Sequence, residues 1–370
     1  MSKKRVCWLT STAFLDTDIY ILPLLADVYD ISWKIILRSS SKQEYAEEIE
    51  ALKQKMDIEI VKIGAKYSSL ESYKSLKRMF KTVKKQSFDL IYTAMGDFPY
   101  FVPLLHSAAD TDKTVVAIHN VHVPKGGVNY RLIKKYNRYT ISRFKHFHTF
   151  SESQYKALRE VSGGKDVLYA PFILKSYGVS DKPRLDSRVT FMNFGNIRPY
   201  KRLDVLINAA EKAAELTDVP FRVIIAGDCS DWERYQALIR HPEIFDIRIG
   251  RVDNADIPAL FNESDYFVAP YQDIAQSGSA IVAINYEKPI IASDLEAFRE
   301  YITEGETGYL IKPADVESLT KAMLTAVNTY NSEYRSMTQN LVRLKREKFS
   351  DAATARRYRE FFDKLIDAKR

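Results

Sequence analysis

One loop in the C-terminal half of the chain has the residue types and spacing to bind a diphosphate. Arg198 and Lys201 follow a predicted strand; the arginine offers a planar fork of donors and the lysine a compact charge. Gly195, at the start of the loop, lets the chain leave the strand without a side-chain clash. The sequence alone also allows a second interpretation, in which the two cations are simply solvated on a surface loop.

A second segment could act on the same ligand from the start of a helix. Gln276, Ser277, Gly278 and Ser279 form a small polar turn before an apolar helical stretch. The first N–H groups of a helix lack backbone partners and lie at the positive end of its dipole, which favours a phosphate. A capped helix without a ligand is the alternative.

The N-terminal half offers fewer candidates. His119 and His122 follow a predicted buried strand, and a histidine can donate a hydrogen bond or accept a proton. Packing at a strand end is the alternative for both. Asp16 follows the first strand, together with Asp18, in a segment that we expect to be a loop. Ser151 fits a helix cap better than a ligand contact.

Composition bounds the class of protein. The 370 residues suit two domains, and 46% hydrophobic with 28% charged residues is typical of a globular chain. A net charge of +7 suits an anionic partner, whether a phosphorylated substrate, a membrane surface or nucleic acid. Cys7 and Cys229 adjoin apolar runs, so we expect two buried thiols in a reducing compartment. No signal-peptide core or spanning stretch is evident, and we expect a cytoplasmic protein.

Strands and helices must position these residues, and they alternate twice along the chain. Such alternation predicts an α/β protein with two doubly wound, Rossmann-like domains of parallel strands facing each other across a cleft. A polar divider near residues 176–187 separates the two series. We expect a first domain at 1–180, a second at 181–345 and a C-terminal helix at 346–370 that crosses back to the first. Open parallel sheets bind ligands beyond the carboxyl ends of their strands.

Five linked segments give the second series a specific resemblance. They are GNIRPYKRLD (195–204), AGD (226–228), DYFVAPY (265–271), KPIIASD (288–294) and EGETGYLIKPAD (304–315). Their order and spacing resemble the C-terminal domain of family 4 retaining glycosyltransferases, which have the GT-B fold. The resemblance covers residues 189–330 well and the N-terminal half only loosely.

The sequence departs from the family pattern at two places. Asn196 and Ile197 stand where the family has Arg-Leu, so Arg198 is expected to replace the usual arginine, while Lys201 matches the usual lysine. Ile274 and Val282 fall on the positions of two family glutamates near the donor sugar and the ribose. The chain resembles a branch with Gln-Ser-Gly at this turn.

The resemblance implies retaining transfer from a UDP-sugar or GDP-sugar donor, without a cofactor or a metal. Arg198, Lys201 and the amides of residues 277–279 would stabilise the diphosphate leaving group. It also implies a set of nucleotide contacts: Gly195, Asn196, Gly227, Arg251, Val252, Gln276, Ser277, Gly278 and Ser279. His119, or else His122, would reach the donor sugar, and Asp16 could serve as the acceptor's base. The Asp16-Thr17-Asp18 spelling also occurs in metal-binding GT-A enzymes, but there it follows several strands.

Basic residues in the first domain indicate the acceptor. They surround one amphipathic helix (Lys66, Lys74, Lys77, Arg78, Lys81, Lys84 and Lys85) and follow the His119 loop (Arg131, Lys134, Lys135, Arg138, Arg143 and Lys145). Such surfaces suit anionic lipid headgroups, so we expect a glycan or lipid-linked acceptor in surface-polysaccharide or lipopolysaccharide synthesis, at the inner face of the plasma membrane. No nucleic-acid module is evident. A sugar-nucleotide epimerase and a catalytically inactive partner subunit stay open.

Overall fold

The computed structural model describes residues 2–41, 45–94, 99–121, 130–174, 176–184 and 186–368. These residues form two compact units. The first consists of Met1–Ile173 together with Phe349–Arg370, and the second of Leu174–Lys348. The C-terminal helix is therefore part of the first unit.

The first unit is a parallel sheet flanked by helices. Its described strands run in the order β3-β2-β1-β4-β5-β6-β7. The elements are β1 (Lys4–Ser11), α1 (Leu15–Ala26), β2 (Tyr29–Arg38), α2 (Ala46–Leu52), β3 (Asp57–Ile63), α3 (Leu70–Lys85), β4 (Leu90–Thr93), α4 (Phe101–Ala108), β5 (Thr114–Ala117), α5 (Tyr130–Arg143), β6 (His146–Thr149), α6 (Glu152–Val161) and β7 (Asp166–Tyr169).

The second unit repeats this architecture with the order β10-β9-β8-β11-β12-β13, again parallel between neighbours. Its elements are β8 (Val189–Phe194), α7 (Leu203–Leu216), β9 (Phe221–Gly227), α8 (Trp232–Gln236), β10 (Phe245–Ile249), α9 (Ile257–Asn262), β11 (Tyr266–Ala269), α10 (Gly278–Asn285), β12 (Ile290–Ser293), α11 (Glu296–Arg299), β13 (Gly308–Ile311), α12 (Val316–Asn328) and α13 (Tyr330–Leu344). The final helix, α14 (Asp351–Asp367), belongs to the first unit. Two parallel-sheet α/β units confirm the predicted fold class.

The central strands are buried along their whole length because helices cover both faces of each sheet. Every residue of β8 is buried, as is every residue of β11 and β12. Helix α3 is buried on one side only, as expected of a helix that covers a sheet. Leu76, Phe80 and Val83 face the core, while its lysines are exposed. Ser69 caps it by accepting a hydrogen bond from the Ser72 N–H. Within the described ranges, no helix is long and apolar enough to cross a membrane.

Two sequence expectations about local structure were wrong. Asp16 and Asp18 do not lie in a loop; both are in the first turn of α1, and Asp18 is buried. Most apolar residues of α1 are buried together with its Thr17 and Asp18, so the helix lacks the separate polar face that would have revealed it. Cys229 is half-buried, unlike the buried Cys7, because it lies beyond the end of β9 and outside the sheet.

Candidate functional site

The loop after β8 turns at Gly195 in a conformation that favours glycine. Its φ is +104°, and a Cβ there would lie 2.6 Å from Ser279 Oγ and 3.5 Å from Lys201 Nζ. Gly227, at the end of β9, lies so close that a side chain on it would collide with the Gly195 backbone. The Gly195 N–H donates to the Ala226 carbonyl at 2.9 Å. The strand ends are thus packed backbone against backbone, which leaves the space above Gly195 to polar groups.

Lys201 supplies a buried positive charge beside Gly195. It ends a 3₁₀ turn (Pro199–Lys201) that begins after Arg198, and only 7% of its surface is exposed. Its ammonium lies 5.5 Å from the centre of the Tyr271 ring. Burial, together with repulsion from Arg198, lowers the pKa of Lys201 to about 8. No carboxylate of the described chain forms an ion pair with it.

The turn before α10 provides hydrogen-bond donors. Ser277 is the buried N-cap, and its hydroxyl accepts from the Ala280 N–H at 3.2 Å, while its carbonyl accepts from the Ile281 N–H. The N–H groups of Gly278 and Ser279 have no acceptor among the residues described here. Gln276 is half-buried and hydrogen-bonds the Tyr301 hydroxyl. Two unpaired amides and the Ser279 hydroxyl therefore remain at the positive end of the helix.

The sheet order explains why these two segments meet. Strand β8 continues to β9 on one side, while β11 lies on its other side, so the chain reverses direction across the sheet between β8 and β11. Ligands of open α/β sheets bind beyond the strand ends at such a point. The Gln272 N–H donates to the Tyr200 carbonyl at 2.8 Å and joins the segments directly. Gly195, Lys201 and Ser279 form what we call the switch-point site.

Arg198 and Asn196 occupy the outer part of the loop. Both are exposed, unlike Lys201. The Ile197 N–H between them donates to the Asp228 carbonyl at 2.8 Å and fixes the loop against the end of β9. Arg198 contributes long-range charge to the site, since it is close enough to affect Lys201.

A cavity of about 340 Å³ lies in the same unit at the ends of β9 and β10. Arg251 and Val252, the nucleotide contacts that the resemblance implies, line this cavity, and so do Ala226 and Gly250. The Gly250 N–H donates to the Gly227 carbonyl at 3.0 Å, which connects the wall of the cavity to the glycine that packs on Gly195. The cavity is therefore adjacent to the switch-point site.

Sequence reasoning missed two contributors to this region. Tyr271 is fully buried and lies under the Lys201 ammonium; it ends the DYFVAPY segment, so the signal was present but was assigned to the strand. Asp256, which precedes α9, lines the cavity. A single aspartate in a polar segment gives no periodic or motif signal.

Apolar side chains occupy the two positions of the second unit where the resembling family has glutamates. Val282 is buried in α10 at 5% exposure, and Ile274 is half-buried. Neither offers a polar atom. Asp273, Gln276 and Ser277 are the nearby polar groups in the same segment.

In the first unit, His119 lies just beyond β5 among aromatic rings. Its ring centroid is 5.6 Å from that of Phe172, 6.0 Å from Phe150 and 6.2 Å from Phe14. Its Nδ1 lies 2.8 Å from Asn120 Oδ1. Because an amide oxygen only accepts, the hydrogen bond requires the proton on Nδ1, which donates it. His119 is half-buried, which suits a group that meets a ligand. His122 lies outside the described residues.

Two further segments of the first unit follow strands of the same sheet. Ser151 is a buried helix cap that accepts from the Gln154 N–H at 3.4 Å, which confirms the capping interpretation. Gln154 in turn accepts from the Val121 N–H at 2.7 Å and anchors the segment that carries His119. Asp16 is half-buried in the first turn of α1.

Beneath these strand ends, the first unit buries a polar network without net positive charge. Trp8 Nε1 donates to Asp18 at 3.0 Å, the Thr10 hydroxyl also donates to it, and burial raises the pKa of Asp18 to about 7. His148 Nε2 donates to a backbone carbonyl at 2.8 Å, so its Nδ1 accepts from the Tyr92 hydroxyl at 2.7 Å. Burial lowers the pKa of His148 to about 3, and the ring is neutral at pH 7.

Comparison with known proteins agrees with this picture for the second unit. Residues 188–329 match the family described as "Glycosyl transferases group 1". A phosphatidyl-myo-inositol mannosyltransferase of Mycobacterium leprae is 32% identical over 146 residues, 38% of this chain and 37% of the relative. Its counterpart in Mycolicibacterium smegmatis is 25% identical over 260 residues, 67% of this chain and 64% of the relative. The chain thus spans less than two thirds of either relative.

Solved structures match both units together. A glycosyltransferase from Rickettsia africae superimposes with a TM-score of 0.76 at 15% identity, covering 99% of both chains. Anabaena Alr3699/HepE, solved in complex with UDP, gives a TM-score of 0.72 at 16% identity and covers 97% of this chain and 99% of its own. These likenesses show the GT-B fold.

Proposed function

We propose that this chain is a glycosyltransferase that moves a sugar from a nucleoside-diphosphate sugar, either a UDP-sugar or a GDP-sugar, to a glycan or lipid-linked acceptor. The observation that carries the proposal is the buried Lys201 ammonium. It lies beside the gap at Gly195 and the hydroxyl of Ser279, without a carboxylate partner among the described residues. A buried cation without a counter-ion is costly, and an anionic ligand would remove that cost.

The reaction breaks the bond between the sugar and a diphosphate, so negative charge develops on the leaving phosphate oxygen. Lys201 and the amides of Gly278 and Ser279 are already oriented in a partly dry environment, where such charge is stabilised most. Arg198, exposed at the edge of the loop, adds a second cation. The adjacent cavity lined by Arg251 and Val252 would hold the nucleoside.

Residues of the first unit are the candidates for the acceptor side of the reaction. His119 would donate a hydrogen bond to the donor sugar or the reacting centre, and Asp16 would accept the proton of the acceptor hydroxyl. Transfer with retention, and a hexose as the transferred sugar, rest on the family resemblance. A mannosyltransferase acting on a phosphatidyl-inositol, as named for the mycobacterial relatives, supports a lipid-borne acceptor here.

The charge of the first unit supports contact with an anionic membrane surface at the cytoplasmic face. All seven cations around α3 and the six cations around α5 are exposed. Leu132 projects from α5 with 63% exposure, next to Arg131. Co-sedimentation with phosphatidylglycerol vesicles, but not with phosphatidylcholine vesicles, is the expected result. Equal partition to both would remove this part of the proposal.

Substitution of the cations tests the diphosphate site. Lys201→Ala and Arg198→Ala should weaken the binding of UDP or GDP in calorimetry, and Lys201→Ala should abolish transfer. Lys212→Ala is a matched control, because Lys212 is a cation of the same unit whose ammonium pairs with Glu317 on the surface. Unchanged nucleotide binding in both site variants would refute the proposal.

An inactive nucleotide-binding subunit is a second candidate, favoured by one observation. Ile274 and Val282 leave the sugar-binding side of the turn without the two family carboxylates. Release of free nucleotide from a donor sugar separates the two, because an inactive subunit would bind the donor without turnover. The anomeric configuration of the product, determined by NMR, tests retention.

A further inference from the structure

The cavity at the ends of β9 and β10 has a carboxylate with no role so far. Asp256 lines this cavity and is exposed, and its side chain makes no capping hydrogen bond to α9. No described cation forms an ion pair with it. The other carboxylate of the cavity, Glu263, is held by Arg248 at 2.6 Å and by Arg222 at 3.7 Å. Asp256 is therefore the carboxylate that can accept hydrogen bonds from a ligand.

The cavity lies at the right distance from the switch-point site for the base of a nucleotide. Neighbouring parallel strands are roughly 4.8 Å apart, and the order β10-β9-β8-β11 puts about two such spacings, or ~10 Å, between the β9/β10 edge and the switch point. This separation is comparable with that between the base and the terminal phosphate of an extended nucleoside diphosphate. Ala226 lines the cavity, and the next residue, Gly227, packs against the Gly195 backbone of the switch-point site.

The walls of the cavity suit a flat ring with two adjacent donors on its edge. Val252 and Leu260 supply apolar surface, and Asp256 supplies an acceptor. An ionised carboxylate only accepts hydrogen bonds, and it does so best from two parallel donors. Guanine presents N1–H and the N2 amino group side by side. Uracil presents one N–H between two carbonyl oxygens, and adenine has an acceptor beside its amino group, so both would set an acceptor against the carboxylate.

We propose that this cavity binds guanine and that Asp256 determines the choice, so that the donor is a GDP-sugar. This inference rests on the proposed function, because it assumes that the second unit binds a nucleoside diphosphate. It adds the identity of the base, which follows from the acceptor at the cavity wall.

Calorimetry on the full chain with four nucleotides tests the choice of base. GDP should bind at least about tenfold more tightly than UDP or ADP, because each of these sets an acceptor against the Asp256 carboxylate. IDP has the same ring as GDP but lacks the N2 amino group, and it should bind about tenfold more weakly than GDP. Tighter binding of UDP or ADP than of GDP would overturn the inference while leaving the proposed function intact.

A single substitution isolates the residue. Asp256→Asn should weaken GDP binding by about tenfold, and it should bring the affinities of GDP and IDP together, since an amide cannot accept from both donors. Asp253→Asn is the matched control, because Asp253 is exposed three residues earlier and does not line the cavity. An unchanged ratio of GDP to IDP affinity in Asp256→Asn would overturn the role of Asp256. Failure of every nucleotide to bind would refute the proposed function itself.

Discussion

A buried polar network in the first unit and a buried lysine in the second differ in how their charges and hydrogen-bonding groups are compensated. In the first unit, His148 is neutral and hydrogen-bonded on both nitrogens, and Asp18 accepts from two neighbours. In the second unit, Lys201 is buried with no described counter-ion, beside two helix amides that have no partner within the described chain. A satisfied network stabilises and orders a core, whereas a buried, uncompensated charge costs free energy. The difference supports an anionic ligand for the second unit, because such a ligand would compensate the buried charge of Lys201.

The largest expected effect comes from filling the gap above the second sheet. Gly195→Ala places a methyl group 2.6 Å from Ser279 Oγ, so the switch-point site must deform, and nucleoside diphosphate affinity should fall by about 100-fold. Gly164→Ala is the control, because Gly164 in the first unit has a φ of +83° and no neighbour within 4 Å of its Cβ position. The Gly164→Ala variant should therefore show the effect of backbone strain without a steric clash. Equal loss of binding in both variants would assign the effect to strain rather than to the site.

The lowered pKa of Lys201 predicts a pH dependence of binding. Because the pKa lies near 8, below its ordinary value, the ammonium loses its proton as the pH rises through 8. GDP or UDP affinity should then fall by up to about tenfold for each pH unit above that point. Lys201→Arg keeps its charge and should bind with little change between pH 7.5 and 9.5. A parallel decline in the arginine variant would exclude Lys201 as the titrating group.

Asp18 predicts the pH dependence of stability in the first unit. Its pKa of about 7 in the folded chain exceeds the ordinary value of 3.8, so between these values the unfolded chain releases a proton that the folded chain keeps. The contribution of Asp18 to the free energy of unfolding should therefore be fully present below about pH 4 and fall by roughly 1.4 kcal/mol per pH unit up to about pH 7.

Urea unfolding of wild type and Asp18→Asn across this range measures the effect. The asparagine can accept from Trp8 and Thr10 but does not titrate, so the Asp18 contribution to the slope should disappear. A slope that persists unchanged in the variant would show that other groups cause it.

The smallest effects should come from the contacts that hold α14 on the first unit. The Tyr29 hydroxyl donates to Asp363 at 2.6 Å, and Lys364 pairs with Asp166 at 2.8 Å on the surface. Tyr29→Phe should lower the free energy of unfolding by about 1 kcal/mol, and Lys364→Ala by less than about 0.5 kcal/mol. Thermal or urea unfolding can rank the two. The reverse order would mean that surface charge, and not the buried ring, anchors the helix.

The predictability of the two units also differs. In the second unit, the alternating strands and helices were enough to predict the parallel sheet and the loop that carries Lys201 after its first strand. In the first unit, α1 was not predicted because polar and apolar residues of this segment are buried alike and Pro23 interrupts the helical pattern. Asp18 was consequently expected in a loop instead of a core.

The sequence by itself determined which residues are candidates for a diphosphate site: a glycine, two cations and a small polar turn in a parallel α/β chain. Tertiary structure decided which of them meet. Gly195 and Ser279 are distant in sequence, and they come within contact because β8 and β11 are neighbours in the sheet. The fold buries Lys201, and the loss of solvent lowers the pKa of its ammonium, while Arg198 stays exposed. Only the fold could place Asp256 at a cavity wall, because a carboxylate's neighbours depend on the order of the strands.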